Sequence, residues 1–582
     1  MRCYAASRWL AMSCLMLLVA CGGGGSSGGG SNNGSSSAVS LDPNPISITQ
    51  AEFSSVTLVI DGSLTKIPSQ PGSPIVGQYF LKTVDSAGAF YASPAVGGSQ
   101  SGFSITVQTL PWLAAGTHSG TLTVTVCYDS DCATPFAGFS TTVPYTVTVT
   151  PSAQAVHRLL PSTNSVAFAS APDGSVLSRT LAVHDNFGQA TTWTAQSDSA
   201  WLKVSASGTS DATSLVVTAD PTSLPWDQTS TATITLAADA TGVSGATIHV
   251  GLWKGSTGLT TLVTQPTTTP LAIVGDPRRP LVYVTNGGTD VQVWNVHTAQ
   301  QVGKIANVGA ALSSAAVSPD GTRLFVLDGS LIRVVDLDSQ SVVDTWTHAS
   351  ANVGTNVTSL TVVRPNGRDI LLVGDGTAMA DGQVLNASGL PGNLSVIDDG
   401  TRAYALETQS EPTIVTRYEL RYADDAGGRL VVIPAAQSSS FNGDYAEVGQ
   451  IAAAGDGSAL YLADSALGCL RINPFNLQFE STVVANSLAI GEVFSAVTGA
   501  TGNVTCGALQ NAGAGGSTLT LGVYGGTSTA LANYSIAIDQ RTLQNGLATV
   551  ASADGLVEII TDFDAIIFVP MGQGGGASSG LR

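Results

Sequence analysis

The sequence predicts an all-β chain, and three observations carry that prediction. Apolar and polar residues alternate at period two along much of it, as in Phe103-Ser104-Ile105-Thr106-Val107, the pattern of a half-buried strand. Asp-Gly and Asn-Gly pairs, the tight-turn signal between strands, recur at Asp61, Asp320, Asn366, Asp399, Asp456 and Asp554. Charged residues make up only 11% of the chain, beside 65 glycines, where a typical soluble domain has about a quarter charged. No long amphipathic helical pattern follows residue 21. A chain of 582 residues is expected to hold about three or four domains. Here they are two β-sandwiches and then a longer array of repeated strand units.

Residues 1–20 have the three parts of a secretory signal. Arg2 and Arg8 form a positive head, Trp9 to Ala20 is a short apolar run, and small Ala20 stands before Cys21. The run is shorter than the ~20 apolar residues that span a bilayer. Leu18-Val19-Ala20-Cys21 resembles the lipobox of bacterial lipoproteins. The resemblance implies lipid on Cys21 and a chain anchored to a membrane through it. Gly22 to Ser37 holds only Gly, Ser and Asn, a composition that forms a flexible tether with a mean reach of about 20–24 Å. By resemblance to Gram-negative sorting rules, Gly rather than Asp after the lipidated cysteine points to the outer membrane, facing either the periplasm or the surface.

The net charge is −19. Nucleic-acid binding needs a basic face, so that class of partner is set aside, and the acidic excess suits solubility outside the cell. Of seven cysteines, Cys3 and Cys14 belong to the signal and Cys21 to the lipid. Cys127, Cys132, Cys469 and Cys506 remain, an even number that in an exported chain reads as two disulfides. Four cysteines allow three pairings; the local one, Cys127–Cys132 with Cys469–Cys506, is favoured. No Cys-x-x-Cys spacing favours a metal instead.

Residues 38–151 read as the first sandwich. Val56–Ile60, Phe103–Val107, Leu122–Val126 and Val143–Val149 are its clearest strands, and alternating strands with turns between them argue an Ig-like sandwich. Residues 156–254 read as the second. Leu110-Pro111-Trp112 before one strand and Leu224-Pro225-Trp226 before another lie 114 residues apart, an internal repeat that suggests tandem modules. Trp193-Thr194-Ala195, Ser199-Ala200-Trp201-Leu202-Lys203-Val204-Ser205 and Leu215-Val216-Val217 resemble the BACON family of Ig-like domains. That resemblance implies a place beside glycan-active machinery, as a spacer or a carbohydrate binder. Trp193 and Trp201 are the candidate sugar-stacking rings, with burial in the core as the simpler role for both.

Residues 262–571 carry the most specific signal. Val282-Tyr283-Val284-Thr285-Asn286-Gly287-Gly288 precedes Val291-Gln292-Val293-Trp294-Asn295-Val296, and Val317-Ser318-Pro319-Asp320-Gly321 to Asp328 precedes Ile332 to Leu337. These units resemble blades of the YVTN family of β-propellers. At roughly 42 residues per unit the count from Asp276 is seven blades, with Cys469 and Cys506 joining neighbours. Residues 572–582 read as a flexible tail.

No catalytic constellation emerges. The six histidines, His118, His157, His184, His249, His297 and His348, show no metal-ligand spacing and read as surface or turn residues. Asp336 with Asp338, and Asp562 with Asp564, lack the rest of a calcium loop and read as solvated turn acids. Two Gly-x-Ser-x-Gly matches, at Gly24 and Gly576, fall in low-complexity tails where no strained elbow forms. No catalytic residue, metal site or cofactor is assigned. The expected function is a non-enzymatic scaffold or binding lipoprotein whose propeller face meets a protein or glycan. The alternatives are a metal-assisted propeller hydrolase of lactonase type, and carbohydrate binding through the BACON-like module. Fold resemblance alone does not license an activity.

Overall fold

A computed structural model describes residues 38–52, 54–66, 79–90, 95–99, 102–110, 113, 115–128, 132–150, 156–170, 175–348, 359–385, 416–423, 429–437, 448–453, 459–464, 468–473, 477–485, 493–497, 504–511, 517–524, 530–539 and 548–571. Among these residues the structure is all-β, apart from one 3-10 turn at Pro365–Gly367. No helix there is long and apolar enough to cross a membrane. The chain divides into two compact units, one ending at Ala155 and the other beginning at Val156.

In the first unit two four-stranded sheets share one core. One runs in the order Val39–Asp42, Thr57–Leu64, Gly102–Gln108, Ala95–Ser99; the other runs Ile46–Ala51, Pro135–Thr150, Gly116–Cys127, Phe80–Asp85. The period-two pattern has a direct physical result: Phe103, Ile105 and Val107 pack against Leu122, Val124, Val126, Val143, Tyr145, Val147 and Val149, and the residues between them face outward. Ile46–Ala51 pairs parallel with Pro135–Thr150. The buried Tyr145 hydroxyl donates to Asp85 Oδ1 at 2.5 Å, and Asp85 also accepts from the amides of Ala87, Ala89 and Phe90. Gly120 makes room for it, since a Cβ there would stand 2.5 Å from the Tyr145 hydroxyl.

The second unit begins with another sandwich. A five-stranded sheet runs Ser165–Ser170, Ala246–Lys254, Gln228–Ala238, Thr192–Ser197, Ser207–Thr209, and a three-stranded sheet runs Leu177–Leu181, Leu215–Ala219, Leu202–Val204. Its early strand Ser165–Ser170 pairs parallel with its last, Ala246–Lys254, which pairs antiparallel with Gln228–Ala238. The first unit has the same arrangement in Ile46–Ala51, Pro135–Thr150 and Gly116–Cys127. The internal repeat in sequence thus corresponds to a repeated strand pairing.

Beyond residue 262 the described strands form seven successive sheets. The first is Ala272–Gly275, Leu281–Thr285, Val291–Asn295, Gln300–Ile305; the second Leu312–Val317, Arg323–Asp328, Leu331–Asp336, Ser341–Thr347; the third Leu360–Val363, Ile370–Val373, Ala378–Ala380, Gln383–Val384. The fourth shows two strands, Thr416–Ala423 and Arg429–Gln437. The fifth is Val448–Ala453, Leu460–Asp464, Gly468–Ile472, Phe479–Ala485, and the sixth Val493–Val497, Val504–Asn511, Ser517–Tyr524, Ala530–Ile538. The seventh takes Thr549–Ala551, Val557–Asp562 and Ala565–Pro570 from the far end of the chain, and its fourth strand is Val263–Pro266 from the near end. First strands of neighbouring sheets lie together: that of the first sheet against that of the second, the second against the third, the fifth against the sixth and the sixth against the seventh. Thr549–Ala551 of the seventh also lies against Ala272–Gly275 of the first.

The first sheet is covered on both faces. Tyr283, Val291 and Val293 pack towards Leu312, Leu324 and Val326 of the second sheet, while Val282, Val284 and Trp294 pack towards Val557, Ile559 and Phe568 of the seventh. This is why Leu281–Thr285 reads as an unbroken apolar run and not as an alternation. Outermost strands such as Gln300–Ile305 are exposed along most of their length.

Candidate functional site

The candidate site is built from turns that recur from sheet to sheet. In Ser318-Pro319-Asp320-Gly321 the Ser318 hydroxyl donates to Asp320 Oδ1 at 2.6 Å and accepts from the Arg323 amide, and the Thr322 amide donates to the same Oδ1. In Ser552-Ala553-Asp554-Gly555 the Ser552 hydroxyl donates to Asp554 Oδ1 at 2.6 Å and accepts from the Val557 amide, and the Leu556 amide donates to that Oδ1. Gly321 and Gly555 hold φ of 69° and 76°, a left-handed conformation that glycine adopts without strain.

One carboxylate oxygen thus folds the turn and the other reaches a neighbouring sheet. Asp554 Oδ2 meets His297 Nε2 of the first sheet at 2.7 Å, with both side chains buried. Asp320 Oδ2 meets Arg364 Nη1 of the third sheet at 3.1 Å. In the first sheet Asp276 folds the turn by accepting from the Arg278 and Arg279 amides. Arg278 then pairs with Asp338 of the second sheet, and Arg279 donates to the Leu337 and Gly321 carbonyls there at 2.8 Å each. These latches join the seventh sheet to the first, the first to the second and the second to the third.

The same turns carry the sandwich of residues 156–254. The Trp253 ring stacks over His297 with centroids 6.1 Å apart. Gly251 lies against the Arg278 carbonyl. The Ser165 hydroxyl donates to the Pro319 carbonyl at 2.7 Å, and Arg158 Nη1 donates to the Asn366 carbonyl at 3.2 Å. Since Ser165 pairs with His249 and Ala167 with Gly251 in the parallel ladder, one strand pair supplies three of these contacts. The sandwich is thereby fastened to turns of the first, second and third sheets in succession. A cleft of about 540 Å³ lies at the far end of this joint, lined by residues including Arg158, Leu160, Asn164, Thr247, Arg364 and Gly367, a volume within the ordinary range for ligand sites. Its guanidiniums serve the joint: Arg364 with Asp320 and Asp369, Arg158 with Asn366.

The electrostatics follow from burial and pairing. Burial pushes the Asp320 carboxyl up, but the Ser318 hydroxyl, Arg364 and Thr322 together bring it down to about 2. Burial also opposes ionisation of Asp554, and His297, Ser552 and the Leu556 amide reverse it, so its pKa falls below the usual carboxylate value. Asp369, half-buried beside Arg364 with weaker compensation, is raised to about 6. Burial lowers His249, which faces Asp320, Arg278, Asp338 and Arg364 across the joint.

The residues singled out in the sequence fall in different places. Leu18, Val19, Ala20 and Cys21 lie outside the described residues, as do Asp399, Asp456 and residues 572–582. Cys127 and Cys132 stand with Cα atoms 5.1 Å apart, and Cys469 and Cys506 with Cα atoms 6.0 Å apart, both within disulfide reach. The latter pair faces from the fifth sheet to the sixth. Trp193 is completely buried at the centre of the second sandwich, which leaves no ring face for a sugar; Trp201 is half-buried against the same core. Four histidines pair with carboxylates; His297, at a turn, and His348 are buried, while His157 is half-buried and the His184 side chain is 44% exposed, as a surface histidine would be. His297 pairs with Asp554 and buried His348 with Asp375 at 3.0 Å; His157 and His184 pair with Asp185 and Asp211. Asp338 is an ion-pair partner as well as a turn acid. Among the described residues no group of three or more His, Cys, Asp or Glu is placed to hold a metal ion. The latch residues Asp276, Arg278, His297 and Arg364 were missed in the sequence, although the Ser-x-Asp-Gly repeat at Ser318 and Ser552 was a signal for the turns they bind.

No protein-family model matches the chain, and no curated protein matches it.

Proposed function

We propose that the chain is an outer-membrane lipoprotein acting as a non-enzymatic scaffold. It is lipidated at Cys21, with two Ig-like sandwiches carrying a seven-bladed β-propeller of YVTN type, the second sandwich being BACON-like. The partner is a protein or a glycan at the cell envelope, met by propeller loops away from the docked sandwich. The observation that carries this reading is the continuous fastening of residues 156–254 along the turns of three sheets, through Gly251, Ser165 and Arg158. A rigid mount on one rim suits presentation of the remaining loops to a partner. The strand Val263–Pro266, which completes the seventh sheet, supports the propeller reading because such a strand closes a circular array. The buried and half-buried charged residues of this rim form latches between sheets, a use that fits a structural role.

The test is cell fractionation of the wild-type chain and of Cys21→Ser, followed by cross-linking of whole envelopes. The wild type is expected in the outer-membrane fraction with a defined cross-linked partner, and Cys21→Ser in the soluble fraction. A wild-type chain recovered soluble and unlipidated overturns the anchor. A folded, anchored chain that captures no envelope protein or glycan overturns the scaffold reading.

A further inference from the structure

The seam between the sixth and seventh sheets contains a carboxyl group that no latch uses. Glu558 lies on Val557–Asp562, the second strand of the seventh sheet, and is 1% exposed. In register it stands opposite Val569 on one side and Ala551 on the other. Its face is the apolar one, where Ile560, Ile567 and Val569 meet Leu519, Leu521, Ile536 and Ile538 of the sixth sheet. One polar partner comes from across the seam: the hydroxyl of Thr505, a buried residue of Val504–Asn511, bonds to the Glu558 carboxyl. Among the described residues the other carboxyl oxygen, Oε2, has no hydrogen-bond partner.

An ionised carboxylate needs several donors or a cation when buried, and among the described residues Glu558 has one hydroxyl. Among the described residues of the two sheets, the nearby acids have partners of their own. Asp554 is taken by His297 and Ser552, and Asp562 accepts from the Asp539 amide. The Tyr534 hydroxyl donates to the Pro570 carbonyl. Cys506 is at disulfide distance from Cys469 on the opposite face of the sixth sheet. We infer that the seam between the sixth and seventh sheets is held shut by a proton on Glu558, so that alkaline conditions loosen the array at this seam while the fifth–sixth and seventh–first seams stay closed. Burial raises the group to about 8 against its ordinary 4.5, with Thr505 opposing. The folded seam therefore holds a proton that the opened one releases, and its stability falls as pH rises from 4.5 towards 8 and levels off above it.

Hydrogen exchange of the full-length chain at pH 6.5 and 8.5, corrected for intrinsic exchange rates, tests this. Linkage between the two values predicts a loss of protection of about twenty-fold in segments 504–511 and 557–562. Segments of the first and second sheets should change much less, and Glu558→Gln should remove the difference. An equal loss in Glu558→Gln, or an equal loss in the first and second sheets, overturns the inference. Should Glu558→Gln fail to fold, the infrared carbonyl band of a protonated carboxylic acid in the wild type decides. Its presence at pH 7 and disappearance between pH 7 and 9 supports the inference, and its absence at pH 7 overturns it.

Discussion

Gly251 and Arg278 meet backbone to backbone: a Cβ on Gly251 would stand 1.9 Å from the Arg278 carbonyl oxygen. No side chain fits there, so the approach of the second sandwich to the first sheet depends on this glycine. Gly251→Val is expected to push the two apart while each keeps its own core, because Gly251 is in the ladder but its missing side chain faces the joint. Overpacking typically costs about 1–3 kcal/mol, and here the loss should fall on the joint. Differential scanning calorimetry of residues 156–582 should resolve two transitions where the wild type gives one. A single unshifted transition would show that the joint tolerates the side chain.

Asp320 makes the latch between the second and third sheets acid-sensitive. Its folded pKa of about 2 lies below its ordinary 3.8. Its contribution is therefore complete above pH 3.8 and is lost as pH falls towards 2, amounting to about 2 kcal/mol at neutral pH. Asp320→Asn should lower stability at pH 7 by about that amount and flatten the acid limb between pH 4 and 2. Urea titrations at a series of pH values read both effects. An unchanged acid limb in the variant would assign the acid sensitivity elsewhere.

The His297–Asp554 pair ties the seventh sheet to the first, with both side chains almost completely buried. Removing one partner of a buried pair leaves the other charged and unpaired, at a cost of about 3–5 kcal/mol. His297→Ala should suffer that loss and also lose the stack on Trp253. His297→Gln, which keeps a donor, should recover part of it. If Asp554→Asn is combined with His297→Ala, the double variant should be less damaged than the two single losses added together. Strict additivity, measured by denaturant unfolding, would mean that the two residues do not act as a pair.

Different parts of the chain were legible to different degrees, for physical reasons. Period-two alternation is a local property, so Phe103–Val107 and Leu122–Val126 could be placed in strands directly. Turn chemistry is equally local, and Asp320-Gly321, Asn366-Gly367 and Asp554-Gly555 all form the turns expected, each with its glycine at positive φ. Latches depend on which sheets become neighbours. Nothing near His297 in sequence indicates Asp554, 257 residues away. A histidine with no spacing pattern therefore looks like a surface or turn residue, and His297 does lie in a turn, but its burial shows only when the seventh sheet is laid beside the first. Trp193 illustrates the same limit. Its flanking Thr192 and Thr194 mark a strand, but whether the ring faces the core or a ligand depends on the opposite sheet, which places it in the core, its indole N–H without a partner among the described residues. The joint itself had almost no signal, because Gly251 serves it by what it lacks.

The two cysteine pairs should differ in what they contribute. Cys127 and Cys132 are five residues apart at the end of one hairpin, and Cys469 and Cys506 are 37 residues apart on two different sheets. On the chain-entropy argument a crosslink stabilises by about 2 kcal/mol over the short loop and nearly 4 kcal/mol over the long one. The longer pair also restrains the seam between the fifth and sixth sheets, where Cys469 and Cys506 are buried with Tyr461, Val504 and Tyr524. Replacing Cys469 and Cys506 together by alanine should therefore lower the unfolding temperature of the second unit and leave that of the first unchanged. The double replacement of Cys127 and Cys132 should do the reverse, by a smaller amount. Calorimetry of both variants, beside the wild type with and without reductant, reads these shifts directly. Equal shifts from the two replacements, or a wild type insensitive to reductant under denaturing conditions, would show that the long-range pair does not crosslink the two sheets.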